Sequence, residues 1–462
     1  MLVFCFLFKM MEKTKIFLHS AAFCVNILTF TTGIAMSWSS PSLPKLSSTD
    51  PDINPLGEPI TTSQESWIAS LPSIASVFGT IIAGLVADKI GRKKTLLFFS
   101  IPFLVCYIVI AFAKSVTTLY ITRFLIGISC GSTLAVLPSY VAEISEDSNR
   151  GVLGCIMGIM GSSGYLFVYA IGPFVSIRTF AFLQVVPILI FYLIFVPFIP
   201  ESPYHFLAND LRKEAEDCLR KIRKPGEVER ELAYLIDVVK ENKSKNWRDI
   251  YSTKAARKGL SITCGLLAFQ QLLGFMAVLS YMQTIFEATD TSIPSNTASI
   301  IIGVVQIISN VLATILVDKL GRKKLLLTSN IGCTLSLICI GTFFFFNQNE
   351  YDTDTIFWLP LSSLVIFFVS FNFGYGTLPL TICGELFQNN IKSLAASLST
   401  CVCLSLSFLV TLCFPYLENA LNMTGVFAIF AVASVFSISF VVFVVPETKG
   451  KSFKEILDIL GD

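Results

Sequence analysis

Charge is what this sequence has least of. Asp, Glu, Lys and Arg make up 14% of its 462 residues, against about 25% in soluble domains. A chain so poor in charge cannot clothe a water-facing globule. The shortage is uneven, because long stretches carry no charge and the ionic residues collect between them. Net charge is only +2, so nothing marks nucleic acid as a partner. Only two histidines occur, and no His/Cys group has metal-ligand spacing, so no metal or other cofactor is expected. The Gly-x4-Gly-Lys-Ser/Thr loop that cradles nucleotide phosphates is missing, which removes ATP as an energy source. No nucleophile–base pair is visible, so the chain does not read as an enzyme. Thirteen cysteines are present without a CxxC pair. Most sit in apolar stretches, as small packing residues rather than a disulfide framework.

What the sequence does have is apolar length. Twelve segments approach the roughly 20 apolar residues that cross a bilayer. They cover 17–37, 67–87, 95–114, 118–142, 151–175, 179–199, 257–281, 297–317, 325–346, 356–380, 393–416 and 424–445. Without water to satisfy the backbone, each must be a helix. The expected fold is therefore an all-α membrane protein of twelve transmembrane helices in two pseudo-symmetric six-helix bundles. The expected divisions are an N-terminal bundle at 11–199, a cytoplasmic helical linker at 200–256, a C-terminal bundle at 257–446 and a tail at 447–462. The first segment, Met1 to Phe8, is apolar but too short to span and lacks a cleavage site, and Met10 or Met11 is an alternative start.

Cations set the orientation. With the N-terminus inside, the outer loops hold only Lys45, Lys114 and Arg178, Arg123 lies within a span, and every other Lys and Arg lies inside. Both termini are expected to be cytoplasmic in a multi-pass cell-membrane protein. Residues 38–66 are the only sizeable outer loop. Asn422-Met423-Thr424 is a glycosylation triplet in the last outer hairpin.

The two halves repeat. Asp88-Lys-Ile-Gly-Arg-Lys-Lys94 returns as Asp318-Lys-Leu-Gly-Arg-Lys-Lys324, each joining the second and third spans of its half. Glu143 with Arg150 is matched by Glu385 with Lys392, and Pro200-Glu201-Ser202 by Pro446-Glu447-Thr448. Three landmarks in one order on one side mean a parallel duplication, with a solute path expected between the halves. Gly91 and Gly321 permit tight turns. Asp88 and Asp318 end helices, where the macrodipole disfavours an acid, so each should have a partner. Asp88, Arg92, Glu143, Arg150, Asp318, Arg322, Glu385 and Lys392 are expected to form charge clusters that hold the halves together when the path opens outward and break when it opens inward.

These residues resemble the sugar porters of the major facilitator superfamily. The likeness rests on Gly84-x-x-Ala87-Asp88-x-x-Gly91-Arg92, Arg123-Phe-Leu-x-Gly127, Pro200-Glu-Ser-Pro203, Phe269-Gln-Gln271, Gly384-Glu385-Leu-Phe and Pro446-Glu-Thr-Lys-Gly450. Trp38-Ser-Ser-Pro41 and Glu65-Ser-Trp67 look like arthropod facilitated trehalose transporters. The resemblance implies alternating access around a central site for a small sugar. By position it implies that Gln270, Gln271, Gln306 and Asn372 bind the solute. Amides suit hydroxyls because each offers a donor and an acceptor. Tyr281 is expected to close the outer end of the seventh span, and Gly374, Gly376 and Pro379 to break the tenth as a hinge.

The departures from the family pattern are specific. Met276 stands in the site where an Asn is usual, Leu380 replaces a Trp, Cys403-Leu404 replaces Asn-Trp, and Gly158 replaces a glutamine. Proton-coupled members carry an Asp two residues after a glycine of the first span, where this chain has Gly33-Ile34-Ala35. The expected activity is facilitated diffusion of trehalose or a hexose. A transport-inactive sugar sensor and a carrier of a polyol or other metabolite remain open. Sugar and lipid bilayer are the partners implied, and no obligate protein partner is indicated.

Overall fold

The structure is a computed structural model that describes residues 13–146, 150–223, 226, 228–242, 249–317, 321–387, 389–451 and 453–461. Those residues form helices and connections, without strands. The first half supplies span 1 (Lys13–Ser37), span 2 (Thr62–Ile90), span 3 (Arg92–Ala111), span 4 (Val116–Ile144), span 5 (Arg150–Ile171) and span 6 (Ile177–Phe198). Polar residues mark where several helices begin. Thr61 and Gln64 form a reciprocal cap on span 2, while Ser115 and Ser176 cap spans 4 and 6. Short helices at Pro203–Ala208, Arg212–Ile222 and Val228–Asn242 then lie against the face that carries the termini, here called the terminal face.

In the second half, span 8 (Ser295–Val317) and span 9 (Arg322–Gln348) are continuous, but span 7 is not. The sequence reads as one helix over 257–281. The structure gives Lys254–Leu272, a left-handed Gly274 (φ 85°), then Phe275–Ser280 and Met282–Glu287. Only glycine takes that conformation without strain. Span 10 is broken as expected, into Leu359–Phe373 and Leu378–Leu386. Spans 11 and 12 run within Asn389–Phe443, interrupted at Asn422 (φ 55°, ψ 176°). Among the described residues eleven helices are therefore long and apolar enough to cross a membrane, the last of them double. The glycosylation triplet thus falls on a one-residue turn, where Thr424 Oγ1 donates to Gln348 Oε1 at 2.7 Å.

A second correction concerns residues 38–66. Ser39–Leu46 is helical, and Trp38 and Ser39 to Leu43 are buried. Lys45 Nζ donates to the carbonyls of Gly172 and Val175 at 2.6 and 2.5 Å, closing the end of span 5. Pro41 is tolerated in the first turn, where its missing N–H has no helical partner to lose.

Span 2 packs on span 4 and span 1 on span 5, backbone against backbone. A Cβ on Gly131 would lie 2.0 Å from Ser76 O, and one on Gly79 2.1 Å from Ile128 O. Gly33 and Gly164 make the same approach between spans 1 and 5. Small residues allow this proximity, and hydroxyls then reach across it: Ser76 Oγ donates to Gly127 O at 2.9 Å. The halves meet along spans 2 and 11 and along spans 5 and 8. Hydrogen bonds join them at Ser73–Ser407 (3.0 Å) and Asn310–Ser162 (2.6 Å), and away from the terminal face at Gln283 N–Ser40 Oγ (3.1 Å) and Asn419–Thr62 (3.3 Å).

Candidate solute site and charge clusters

The break in span 10 is where Gln270 of span 7 meets a fixed partner. Gln270 Nε2 donates to Tyr375 O at 2.6 Å. Tyr375 lies between Gly374 and Gly376, in the turn that interrupts the helix and frees that carbonyl. The Tyr375 side chain is buried and anchored, since its hydroxyl bonds Ser437 and accepts from Asn330 Nδ2 at 3.4 Å. The breaks also touch through rings: Phe275, just past Gly274, stacks on Phe371 at 4.2 Å and 4°. Gln271 is 5% exposed, and its Nε2 reaches Cys403 Sγ at 3.2 Å.

Gln306 and Asn372 are buried, at 2% and 6% exposure. Asn372 Nδ2 lies 3.5 Å from Ser309 Oγ, one turn from Gln306 on span 8. Among the described residues, Gln271 Oε1 and Gln306 Nε2 have no hydrogen-bond partner. Buried amide atoms left without partners cost stability, and buried polar groups inside a span mark functional sites by default. Met276 is half-buried and packs against the core of this half. Tyr281 is 1% exposed, stacks on Phe414 at 4.7 Å and donates to Thr411 O at 3.2 Å. It ties span 7 to span 11.

The three residues expected to form a hinge differ in their surroundings. Gly376 is exposed, and a Cβ there would lie 3.1 Å from Asn372 Oδ1. A Cβ on Gly374 would lie 2.3 Å from Ser329 Cβ, so this glycine admits close packing of span 9. Pro379 sits at the start of the second segment, where proline is tolerated. The sequence reading missed Gln184 of span 6, fully buried with neither amide atom partnered. A lone amide among apolar residues was its signal. A groove lined by Trp67, Leu71, Tyr120, Ile121, Phe124 and Leu125 holds none of these residues.

Among the described residues, each half carries a charge cluster of its own. In the first half Arg92 Nε donates to Glu143 Oε1 at 3.1 Å, and Ser202 Oγ donates to Glu143 Oε2. Glu201 accepts from Lys93 N at 2.9 Å, and Lys93 Nζ donates to Val196 O at 2.9 Å. The second half repeats each contact. Arg322 pairs with Glu385 at 3.0 Å, Thr448 Oγ1 donates to Glu385, Glu447 accepts from Arg322 N at 2.9 Å, and Lys323 Nζ donates to Val442 O at 2.8 Å. Glu201 and Glu447 thus sit on the N-termini of spans 3 and 9, where N–H groups lack helical partners and the dipole favours an anion. Burial pushes the Glu447 carboxyl up, but backbone N–H donors from Lys449, Arg322, Lys323 and Thr448 outweigh it and hold its pKa below the usual value.

Asp88, 72% exposed, has the expected partner in Arg92, at 3.3 Å on the surface. Arg92 also takes Glu143 as a more buried partner. Lys392 is exposed, with its Nζ beside Gly384. Asp318 and the side chain of Arg150 lie outside the described residues. Among the described residues these contacts form a brace at the corner of each half, which in the first half joins spans 2, 3 and 4 to the segment after span 6. Replacing Arg92 by leucine strands the buried Glu143 carboxylate, a loss on the order of 3 kcal/mol. The expected result is a clearly lower melting temperature in detergent, largely restored when Glu143→Leu is added. An unchanged melting temperature for the single variant would contradict the brace.

Arg123 is fully buried. It donates to Ala35 O (2.8 Å), Ile68 O (3.1 Å) and Ser39 Oγ (3.1 Å), and lies 4.9 Å over the Trp38 ring. Carbonyls and a ring face stabilise this charge.

Paired bundles of spans, a buried amide set in one and repeated corner braces define a multi-pass membrane transporter rather than an enzyme. The family described as "Sugar (and other) transporter" matches residues 29–460, and the chain belongs to it. Facilitated trehalose transporter Tret1 of Bombyx mori is 33% identical over 450 residues, 96% of this chain and 87% of that protein. A Tret1-2 homolog of Drosophila sechellia is 34% identical, over 94% of this chain and 89% of that protein. Among solved structures, the xylose transporter XylE from E. coli in a partially occluded inward-open conformation superposes with a TM-score of 0.79 at 20% identity. It covers 94% of this chain and 99% of that one, which shows the shared major facilitator fold.

Proposed function

We propose that this protein is a facilitative sugar carrier of the cell membrane that works by alternating access, with trehalose or a hexose as solute. The observation that carries the reading is an uncharged, largely buried amide set, Gln270, Gln271, Gln306 and Asn372, that among the described residues leaves one acceptor unpaired on span 7 and one donor on span 8. Hydroxyl groups complement such a set, because each can accept from an amide N–H and donate to an amide oxygen. The two bundles, 11–199 and 257–446, move about this site, with 200–256 and 447–462 on the cytoplasmic side. The Lys- and Arg-rich terminal face supports that orientation. The relatives named as facilitated trehalose transporters support the choice of solute.

The energy source follows from Arg123. Ala35 stands where proton-coupled sugar porters carry an acid, and it offers Arg123 only a backbone carbonyl. A carbonyl has no proton to exchange, so the solute moves down its own gradient. Radiolabelled trehalose and D-glucose are offered to proteoliposomes holding the full chain. Counterflow should occur without a proton gradient and should not change with a protonophore. Collapse of uptake on adding the protonophore would overturn uniport. Saturable binding with no flux would identify a sensor instead.

A further inference from the structure

We infer that Cys403 is a positioning residue that fixes which atom of Gln271 faces the solute; the solute part of this inference rests on the carrier reading above. The reasoning starts at a backbone group that can act in only one way. Tyr375 O is an acceptor, so the Gln270 atom 2.6 Å from it must be the NH₂ group. That turns Gln270 Oε1 toward Cys403 Sγ, at 3.4 Å. An amide oxygen cannot donate, so the Cys403 thiol donates its proton there. The sulfur's lone pairs then face Gln271, whose Nε2 lies 3.2 Å away. With Nε2 committed, Gln271 Oε1 is left as the free, buried acceptor.

The chain therefore has a direction, Gln271 to Cys403 to Gln270 to Tyr375 O, and its anchor is the break in span 10. A free carbonyl oxygen selects a solute that brings a hydrogen-bond donor to that point, as a sugar hydroxyl does. The free Nε2 of Gln306 selects an acceptor. Cysteine suits the middle position because a thiol both donates and accepts while keeping the wall of the site weakly polar. A side chain with only apolar atoms would break the relay and release the Gln271 amide to rotate.

Two readouts test this on the purified full chain in lipid. The S–H stretching band of Cys403, isolated as the difference between wild type and Cys403→Ala, should lie below that of an unbonded thiol. It should move upward in Gln270→Met. A band that does not respond to Gln270→Met overturns the assignment. In uptake of radiolabelled trehalose or D-glucose, Cys403→Val should raise KM roughly tenfold with maximal rate within about twofold, because one directed hydrogen bond is lost. Cys403→Ser, which keeps a donor and an acceptor, should restore KM. Equal KM for wild type and Cys403→Val overturns the inference. Should wild type carry neither solute, the sugar reading falls, while the S–H band still decides what the thiol does.

Discussion

A valine at Gly131 is expected to leave almost no folded protein after detergent extraction. Its Cβ would sit 2.0 Å from Ser76 O and 2.7 Å from the Ser76 carbonyl carbon, and a backbone cannot swing away as a side chain can. Gly127, one turn earlier, faces Pro72 O at 2.5 Å, and Gly79 faces Ile128 O at 2.1 Å. To admit one methyl group, spans 2 and 4 must separate along their whole contact. That also breaks the Ser76–Gly127 and Thr80–Gly131 hydrogen bonds (2.9 and 3.2 Å). Overpacking alone costs about 1–3 kcal/mol, occasionally more, and here the lost contacts add to it. Gly84→Val on span 2 is the control, since nothing lies within 4 Å of its Cβ position. Size-exclusion profiles of the two variants decide the matter, and a normal Gly131→Val peak would refute the packing argument.

Replacing Gln271 by leucine is expected to cut uptake of trehalose at concentrations below KM roughly tenfold or more, with normal amounts of protein in the membrane. Leucine fills a similar volume, so packing changes little. It removes the one buried acceptor left free in span 7 and also the donor to Cys403. Losing a hydrogen bond to a desolvated group costs about 1–3 kcal/mol. Uptake equal to wild type at equal abundance would take Gln271 out of the site.

The sequence announced the spans because hydrocarbon tolerates little else than apolar helix, and it announced the duplication because the loops repeat in register. It could not announce partners that folding brings together. Asp88 is four residues from Arg92 and looked like its mate, yet Glu143, fifty-one residues on, takes the guanidinium in a buried setting. The Pro-Glu-Ser/Thr motif was visible as a landmark, but its role became plain only when Glu201 and Glu447 were found on the N-termini of spans 3 and 9. Gly274 could have been a packing glycine as easily as a break, since both suit a residue without a side chain. Cys403 read as a loss relative to the family pattern. Only the geometry shows a thiol standing between two glutamines.

The glycines of the two halves meet different neighbours. Gly33, Gly79, Gly127, Gly131 and Gly164 rest against the main chain of another helix, whereas Gly259, Gly265 and Gly274 rest against the rings of Phe387, Phe440 and Phe430. Main chain is common to all residues and cannot be exchanged by mutation, but a phenylalanine can. Inherited change therefore accumulates unevenly in such a molecule. The amino-terminal portion tolerates almost no novelty at its helix crossings. The carboxy-terminal portion can trade one bulky neighbour for another, and so reshape the chamber wall over generations while every helix stays in place.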